Sequence, residues 1–169
     1  MRSFSWYQGR AWIADAPDAW PSSLPWAPQG ASPQQVVLPA SAPGAPAAVA
    51  VQRMCQTASG GSFFARIGGV LVPTTGTTLE VTVTPADDPD MDLVLRAVLA
   101  GIDAMPTADR PVGRLAVAWF VIHPVDLKPW AWRNATATMV RLFCADIAAL
   151  DDAAAAALAL DYRVGCPSW

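Results

Sequence analysis

Residues 114–126, with the sequence Arg-Leu-Ala-Val-Ala-Trp-Phe-Val-Ile-His-Pro-Val-Asp, decide the fold of this chain. From Arg114 to Ile122 apolar side chains occupy both alternating sets of positions, which is typical of a central strand covered on both faces. Pro124 ends the strand because it has no N–H to donate to a ladder. The stretch therefore predicts a buried central strand that runs into a turn at His123.

Three strands and a helix are predicted before this central strand. Residues 47–57 alternate weakly, residues 63–72 predict a second strand, and residues 78–84 alternate with one apolar face. One-sided alternation of this kind favours an antiparallel sheet. A helix then opens at Asp88, whose side chain can cap the first amide groups, and it extends with one apolar face to Met105.

Two more helices are predicted after the central strand. An apolar stripe predicts a helix from Trp130 to Ala149, and the pair Asp151-Asp152 is expected to cap a last, Ala-rich helix. The element order is β-β-β-α-β-α, so we expect a two-layer α+β sandwich with helices on one face of a mainly antiparallel sheet. This domain is assigned to residues 47–162, and residues 163–169 are assigned to a tail.

An N-terminal arm, residues 1–46, differs from the domain in composition. Eight of the 16 prolines lie between Pro17 and Pro46, a spacing that blocks helix interiors and central strands. We expect residues 14–46 to be irregular and residues 3–13 to form a strand or a short hairpin.

Tryptophan is concentrated in the arm and at the start of the second predicted helix. Trp20 and Trp26 are expected to anchor the arm on its own domain or on a partner, because tryptophan is a large apolar side chain to leave in water. Trp130 and Trp132 cannot share a helix face at a spacing of two. One of them is expected to pack inward and the other to be covered by the arm or by a partner, and all four are candidate interface residues.

Composition excludes several classes of protein. The chain of 169 residues has a net charge of −3, so a strongly basic nucleic-acid-coating protein is excluded. No apolar run reaches the roughly 18 residues of a membrane span, and no apolar signal segment follows Met1. We therefore expect a cytoplasmic protein that has no membrane contact.

No metal or cofactor is expected from the sequence. The three cysteines are far apart and form no Cys/His cluster, and the carboxylates of residues 87–92 suit a helix start better than a metal. Gly60-Gly61 predicts a turn and Gly68-Gly69 predicts a strand bulge, because neither pair has the GxGxxG spacing of a phosphate loop.

The segment Val121-Ile122-His123-Pro124-Val125-Asp126, followed by an Ala-containing helix, resembles part of the fourth domain of translation elongation factor G. In that family a strand ends in a His-x-Val-Asp turn and enters a long helix. The turn Ser59-Gly60-Gly61-Ser62 and the helix from Met91 to Met105 match in order, so the resemblance covers about residues 47–150. It implies the fold known from the second domain of ribosomal protein S5, which has a left-handed β-α-β crossover.

The resemblance also implies a tip, where the Gly-containing loop meets the His turn and, in the family, enters the ribosomal decoding site. The candidate tip residues are Gly60, Gly61, His123, Asp126, Lys128 and Arg133. The family turn continues Asp-Ser-Ser, whereas this chain continues Asp126-Leu127-Lys128-Pro129, and its glycine loop is short and uncharged. The sequence has no GxxxxGK[ST] loop, so no GTPase activity is implied.

We expect from these observations a non-catalytic binding or assembly module that engages a protein partner or itself. The alternative is binding to the ribosome or to structured RNA through the tip. The acidic net charge disfavours that alternative, because only a few cations could cluster near the tip: Arg53, Arg66, Lys128 and Arg133.

A small enzyme of the same fold is a second alternative. His123, the only histidine, could act as a general base or as a tip contact, or it could be an ordinary exposed turn residue. Cys144 with His123 and Asp126 would make a Cys-His-Asp set, but Cys144 falls in the apolar helix stripe and is expected to be a small buried residue.

Overall fold

A computed structural model of the protein describes residues 1–6, 8–14, 32–55, 62–123 and 126–160. The strands are β1 (Arg2–Trp6), β2 (Gly9–Ala14), β3 (Gln34–Pro39), β4 (Ala47–Cys55), β5 (Phe63–Pro73), β6 (Thr78–Val83) and β7 (Gly113–Val121). The helices are α1 (Met91–Asp103), α2 (Pro129–Leu142) and α3 (Asp152–Leu160), and a single 3-10 turn covers Thr107–Asp109.

The described strands form one sheet with the order β1-β2-β4-β5-β7-β6-β3. Neighbouring strands are antiparallel except for β6 and β7, which are parallel and are joined through α1. Strand β7 lies between β5 and β6, so the predicted central strand is confirmed. The predicted α+β class and the order β-β-β-α-β-α are confirmed from β4 to α2.

One face of the sheet carries the main core. Alternate residues of β4 to β7 point toward the helices, and α2 packs on β4 and β5 while α1 packs on α2. The largest fully buried side chains include Trp132, Phe143, Ile67, Leu71 and Met139. Each such side chain contributes about 1.5–3 kcal/mol when it leaves water, so this helix-covered face supplies most of the stability.

A β-bulge explains why both faces of β7 are apolar. Gly68 pairs with Trp119, but the next residue, Gly69, pairs with Val117, so β7 contains one extra residue at Ala118. The extra residue reverses the alternation, since two residues on β7 then oppose one on β5. Trp119 thereby points to the face away from the helices, and a Cβ atom on Gly68 would lie 2.6 Å from its Cε3 atom.

The N-terminal region is more regular than its proline content predicts. Residues 2–6 and 9–14 form the expected hairpin, β1 with β2. The prediction that residues 14–46 are irregular is wrong for Gln34–Pro39, which pairs with β6 as an edge strand. The β-branched pair Val36-Val37 favours a strand there, and Pro39 is tolerated because an edge strand has one unpaired side.

Other parts of the predicted organisation lie outside the described residues. These are the arm between residues 15 and 31, with Trp20 and Trp26, and the tail from residue 163.

The helix boundaries correct two details. Asp88 does not cap α1, because its Oδ1 accepts the N–H of Asp90 (2.9 Å) in a turn before the helix. Helix α2 ends at Leu142 rather than near residue 149. The predicted cap of the last helix is confirmed, since Asp151 Oδ1 accepts the N–H of Ala154 at 2.8 Å.

We expect Gly68→Ala to destabilise the protein by about 1–3 kcal/mol, because the new Cβ atom would press on the Trp119 ring and on Ala50. Urea unfolding measures the change. In a Trp119→Ala background, Gly68→Ala should lower the free energy of unfolding by clearly less, because the Trp119 ring is absent. Equal costs in both backgrounds would contradict the proposed contact.

Candidate functional site

The tip predicted from the sequence is partly assembled. His123 follows β7 and has a side chain that is 55% exposed, and its Nδ1 lies 3.2 Å from Asp126 Oδ2. The other carboxylate oxygen, Oδ1, accepts a hydrogen bond from Ser62 Oγ at the start of β5. The main-chain N–H of Asp126 donates to the carbonyl of His123 at 3.0 Å, so Asp126 ties the turn after β7 to β5.

The order of these three groups does not activate a nucleophile. A hydrolytic triad needs the hydroxyl on one nitrogen of the histidine and the carboxylate on the other. Here the carboxylate of Asp126 stands between Ser62 and His123, and the hydroxyl donates to the carboxylate. The arrangement clamps two chain segments together, and it leaves Nε2 of His123 free of this clamp.

The other two predicted tip residues that the structure describes, Lys128 and Arg133, do not join this cluster. Gly60 and Gly61 lie outside the described residues. Lys128 is exposed just before α2. Arg133 lies where α2 crosses α1, since a Cβ atom on Gly101 would be 2.9 Å from the Arg133 carbonyl oxygen. The structure therefore brings together His123 and Asp126, with Ser62 as an unpredicted third member.

The two tryptophans of α2 have different roles. Trp132 is fully buried in the chain's own core, with its ring centroid 6.2 Å from that of Phe120. Its assignment as an interface residue is wrong, because the helix face it occupies is the one that packs on the sheet. Trp130 is half-buried and meets Phe63 edge-on, with ring centroids 4.5 Å apart, so part of its surface stays accessible.

Cys144 is far from being an activated thiol. Burial, reinforced by the nearby Asp109 carboxylate, raises the pKa of this thiol from its ordinary 9.0 to about 12. Asp109 forms an ion pair with Arg141 at 2.7 Å, beside Cys144. The imagined Cys-His-Asp set is not formed, since His123 and Asp126 pair with each other and with Ser62.

The two edge strands of the sheet differ in how much of their outer side is covered. Strand β1 is covered by α3 and by the turn before it. The N–H of Ser5 donates to Asp152 Oδ1 (3.0 Å), and Arg2 Nη1 donates to the carbonyl of Ile147 (2.6 Å). A sheet edge covered in this way offers little to an incoming strand.

Strand β3 is the opposite edge, and no other described strand pairs with its outer side. Directly after β3, the N–H of Ala40 donates to the carbonyl of Thr77, the residue before β6. Antiparallel pairing alternates, so the main-chain groups of Val36 and Leu38 also point to β6, and those of Gln35 and Val37 point outward. The carbonyl of Pro39 also points outward, but it is taken by Arg110 Nη1 at 3.2 Å.

An apolar groove of about 270 Å³ runs beside this edge, between β3 and α1. It is lined by Val36, Leu38, Leu99, Ala100 and Asp103. On the other face of β3, the side chain of Val37 is 62% exposed. No hydrogen bond within the described residues reaches the outward N–H and C=O groups of Gln35 and Val37.

The sequence does not predict this edge strand, because the high proline density of the arm favours an irregular segment. The signal was the run Val36-Val37-Leu38 between two prolines, which is what an edge strand tolerates.

Comparison of the chain with family models, with curated proteins and with solved structures finds no match in any of the three. None of the described helices has the length and hydropathy needed to cross a membrane. Among the described residues, no group of three or more His, Cys, Asp or Glu side chains is arranged to hold a metal ion.

We expect the partly buried thiol of Cys144 to make stability pH-dependent. Above pH 9.0 the unfolded chain loses this thiol proton, whereas the folded chain keeps it until about pH 12, so the free energy of unfolding falls as the pH rises through this window. As the pH rises, the urea midpoint of the wild type should therefore fall relative to the urea midpoint of Cys144→Ala.

Titrations of other groups occur in both proteins and cancel in the difference between the two midpoints. A difference that stays constant from about pH 8 to about pH 11 would contradict the assignment. As a second readout, alkylation of Cys144 followed by mass spectrometry should be slow in the native protein at neutral pH and fast in urea.

Proposed function

We propose that the chain is a non-catalytic assembly module that pairs with a second copy of itself through β3. The observation that carries the proposal is the outer side of this strand, where no described residue pairs with the main-chain groups of Gln35 and Val37 beside an apolar groove. Unpaired edge groups are a template for another strand, and soluble proteins normally block them.

The edge is complementary to itself about a twofold axis at Val36. When two copies of β3 run antiparallel with Val36 opposite its own copy, Gln35 of each chain faces Val37 of the other. These are the outward-pointing residues, so each of the two facing pairs exchanges both an N–H and a C=O. Four main-chain hydrogen bonds form without any change in β3, and the pairing is isologous, as in most homodimers.

Side chains on both faces of β3 support the same pairing. On the helix side, Val36 meets its own copy and the two apolar grooves become continuous. On the other face, the exposed Val37 gains cover from the partner's Gln35. Strand β3 carries no charge, so it lacks the lysines that often protect an edge from pairing.

The length of the contact is limited by what flanks it. Pro33 and Pro39 have no N–H to donate, and Arg110 occupies the carbonyl of Pro39. Pairing is thereby confined to the segment between the prolines, which selects one register over slipped ones.

The chemistry-bearing residues of the described regions support a binding role over a catalytic one. Ser62 and His123 are separated by the carboxylate of Asp126, and the raised pKa of Cys144 keeps its thiol protonated at neutral pH. Neither arrangement prepares a nucleophile.

We expect Val37→Pro to abolish self-association and to leave the fold intact. Proline removes the outward N–H of residue 37 but no hydrogen bond to β6, and edge strands accept proline at such positions. Sedimentation over about 1 to 100 µM protein should give a dimer mass for the wild type and a monomer mass for Val37→Pro.

Val37→Thr is the matched control, because it keeps the main-chain donor and a β-branched side chain, and it should still dimerise. A wild-type protein that stays monomeric over this range would overturn the proposal. So would a dimer that survives Val37→Pro.

A second variant tests the register. In an antiparallel pair, residues opposite each other without hydrogen bonds have Cα atoms about 4.5 Å apart, which is within disulfide reach. Under mild oxidation, Val36→Cys should give a covalent dimer, whereas Ser41→Cys, two residues after the strand, should not. Equal crosslinking of the two variants would contradict the axis at Val36.

A further inference from the structure

The face of the sheet away from the helices carries a row of cationic and aromatic side chains. Arg10 and Trp12 lie on β2, Phe64 and Arg66 lie on β5, and His123 follows β7. We call these five residues the cationic strip. Arg10 and Arg66 stand in one row of the sheet, each paired with Gln52 of β4 between them. The sequence predicted His123, with Arg66 near it, for the tip, but it did not predict Arg10, Trp12 or Phe64.

The two arginines are held by an aromatic ring and not by carboxylates. The guanidinium of Arg66 lies 4.8 Å from the centroid of the Trp12 ring, and that of Arg10 lies 5.9 Å from the same ring. Neither arginine forms an ion pair with a carboxylate that the structure describes. Arg10 Nε also donates to Ser5 Oγ at 3.2 Å. Trp12 and Ser5 therefore position two positive charges while most of the guanidinium N–H groups remain available.

The surroundings of Arg66 favour an anionic ligand. Partial burial lowers the pKa of Arg66 from its ordinary value, which reflects the loss of water around a charge that has no counter-ion. An anion placed on the strip would restore that lost solvation. Arginine suits this role because its planar group can donate to an oxyanion while it stacks on an aromatic ring.

The shape of the surface favours a polymer over a small molecule. Small-molecule sites are concave and enclose most of their ligand, whereas the strip lies across four neighbouring strands of a sheet, from β2 to β7. The described cavities, of about 250 to 310 Å³, are lined by other residues. An extended chain can follow the row from one residue to the next.

The aromatic members of the strip favour a nucleic acid over an acidic peptide. The rings of Phe64 and His123 have centroids 6.4 Å apart, and His123 is largely exposed. Phe64 is two residues from Arg66 on the same strand, so an aromatic ring and a cation are spaced about 7 Å apart. A chain that alternates flat bases with phosphates presents complementary groups at a comparable spacing.

We propose that the cationic strip binds single-stranded nucleic acid, with phosphates at Arg10 and Arg66, which the Trp12 ring supports, and with bases stacked against Phe64 and His123. This site shares His123 with the tip of the family resemblance, but it uses Arg10 and Arg66 where the tip would use the glycine loop and Arg133. It also differs from the β3 edge, so it stands independently of self-association. The net charge of −3 implies modest affinity, and that affinity falls with salt as counter-ions compete.

Fluorescence anisotropy with a labelled uridine 12-mer at about 50 mM salt tests the proposal. The wild type should bind, and Arg10→Ala with Arg66→Ala should weaken binding and lower the slope of log affinity against log salt by about 1.4, because two phosphate contacts are lost. Trp12→Leu should weaken binding by about threefold or more, because the ring that supports both arginines is lost.

Arg96→Ala is the control, since Arg96 is exposed on α1 in the helix layer, and it should leave binding unchanged. A 12-residue glutamate peptide and a duplex of the uridine strand with a complementary adenosine strand serve as competitors. Far-UV circular dichroism checks that each variant is folded, and Arg66→Lys provides a milder second variant that keeps the charge.

Several results would overturn the proposal. They are no binding at low salt, equal loss with the Arg96 variant, competition by the acidic peptide as effective as by the uridine strand, or equal affinity for the duplex. Repeating the titration with Val37→Pro keeps the two proposals distinguishable, because a monomer should still bind through its own strip.

Discussion

The extra residue in β7 is the constraint on which the rest of the structure depends. Strand β7 pairs with β5 on one side and with β6 on the other, and it carries large apolar side chains on both faces. Opposite Gly68-Gly69 the bulge at Ala118 turns Trp119 away from the helices and turns Phe120 toward Trp132 in the core. Without the bulge these two large side chains would exchange faces. The helix layer and the opposite face are therefore both determined at this point.

Much of the fold could be predicted because its signals are local. Apolar side chains on both alternations identified β7, and the stripe of α1 and the cap of α3 follow from short-range rules. The paired glycines predicted the bulge, since a missing side chain at Gly68 makes room for Trp119. Strand β3 was not predicted because its pairing with β6 is decided by residues 39 to 49 positions away in sequence, and this pairing outweighs the local effect of proline.

The candidate surfaces were harder to predict for a related reason. The contact of Trp12 with Arg66 needs the register of β2, β4 and β5, which no local pattern encodes. Which of Trp130 and Trp132 packs inward depends on the rotation of α2 about its axis, and a spacing of two residues does not determine that rotation. The pairing of His123 with Asp126 could be predicted because the turn after β7 is local. The contact of Ser62 with Asp126 could not, because the two residues are 64 positions apart.

The two proposals reinforce each other through symmetry. The twofold axis of an antiparallel strand pair is perpendicular to the sheet, so pairing through β3 would put both helix layers on one side and both cationic strips on the other. Seven strand spacings would then separate Arg66 from its copy, about 34 Å in a flat sheet and less after twisting. A single strand long enough to reach both strips would bind the dimer more tightly than the monomer, since the second contact becomes intramolecular. An acidic chain with few cations can in this way gain affinity by assembly, without a higher positive charge on each copy.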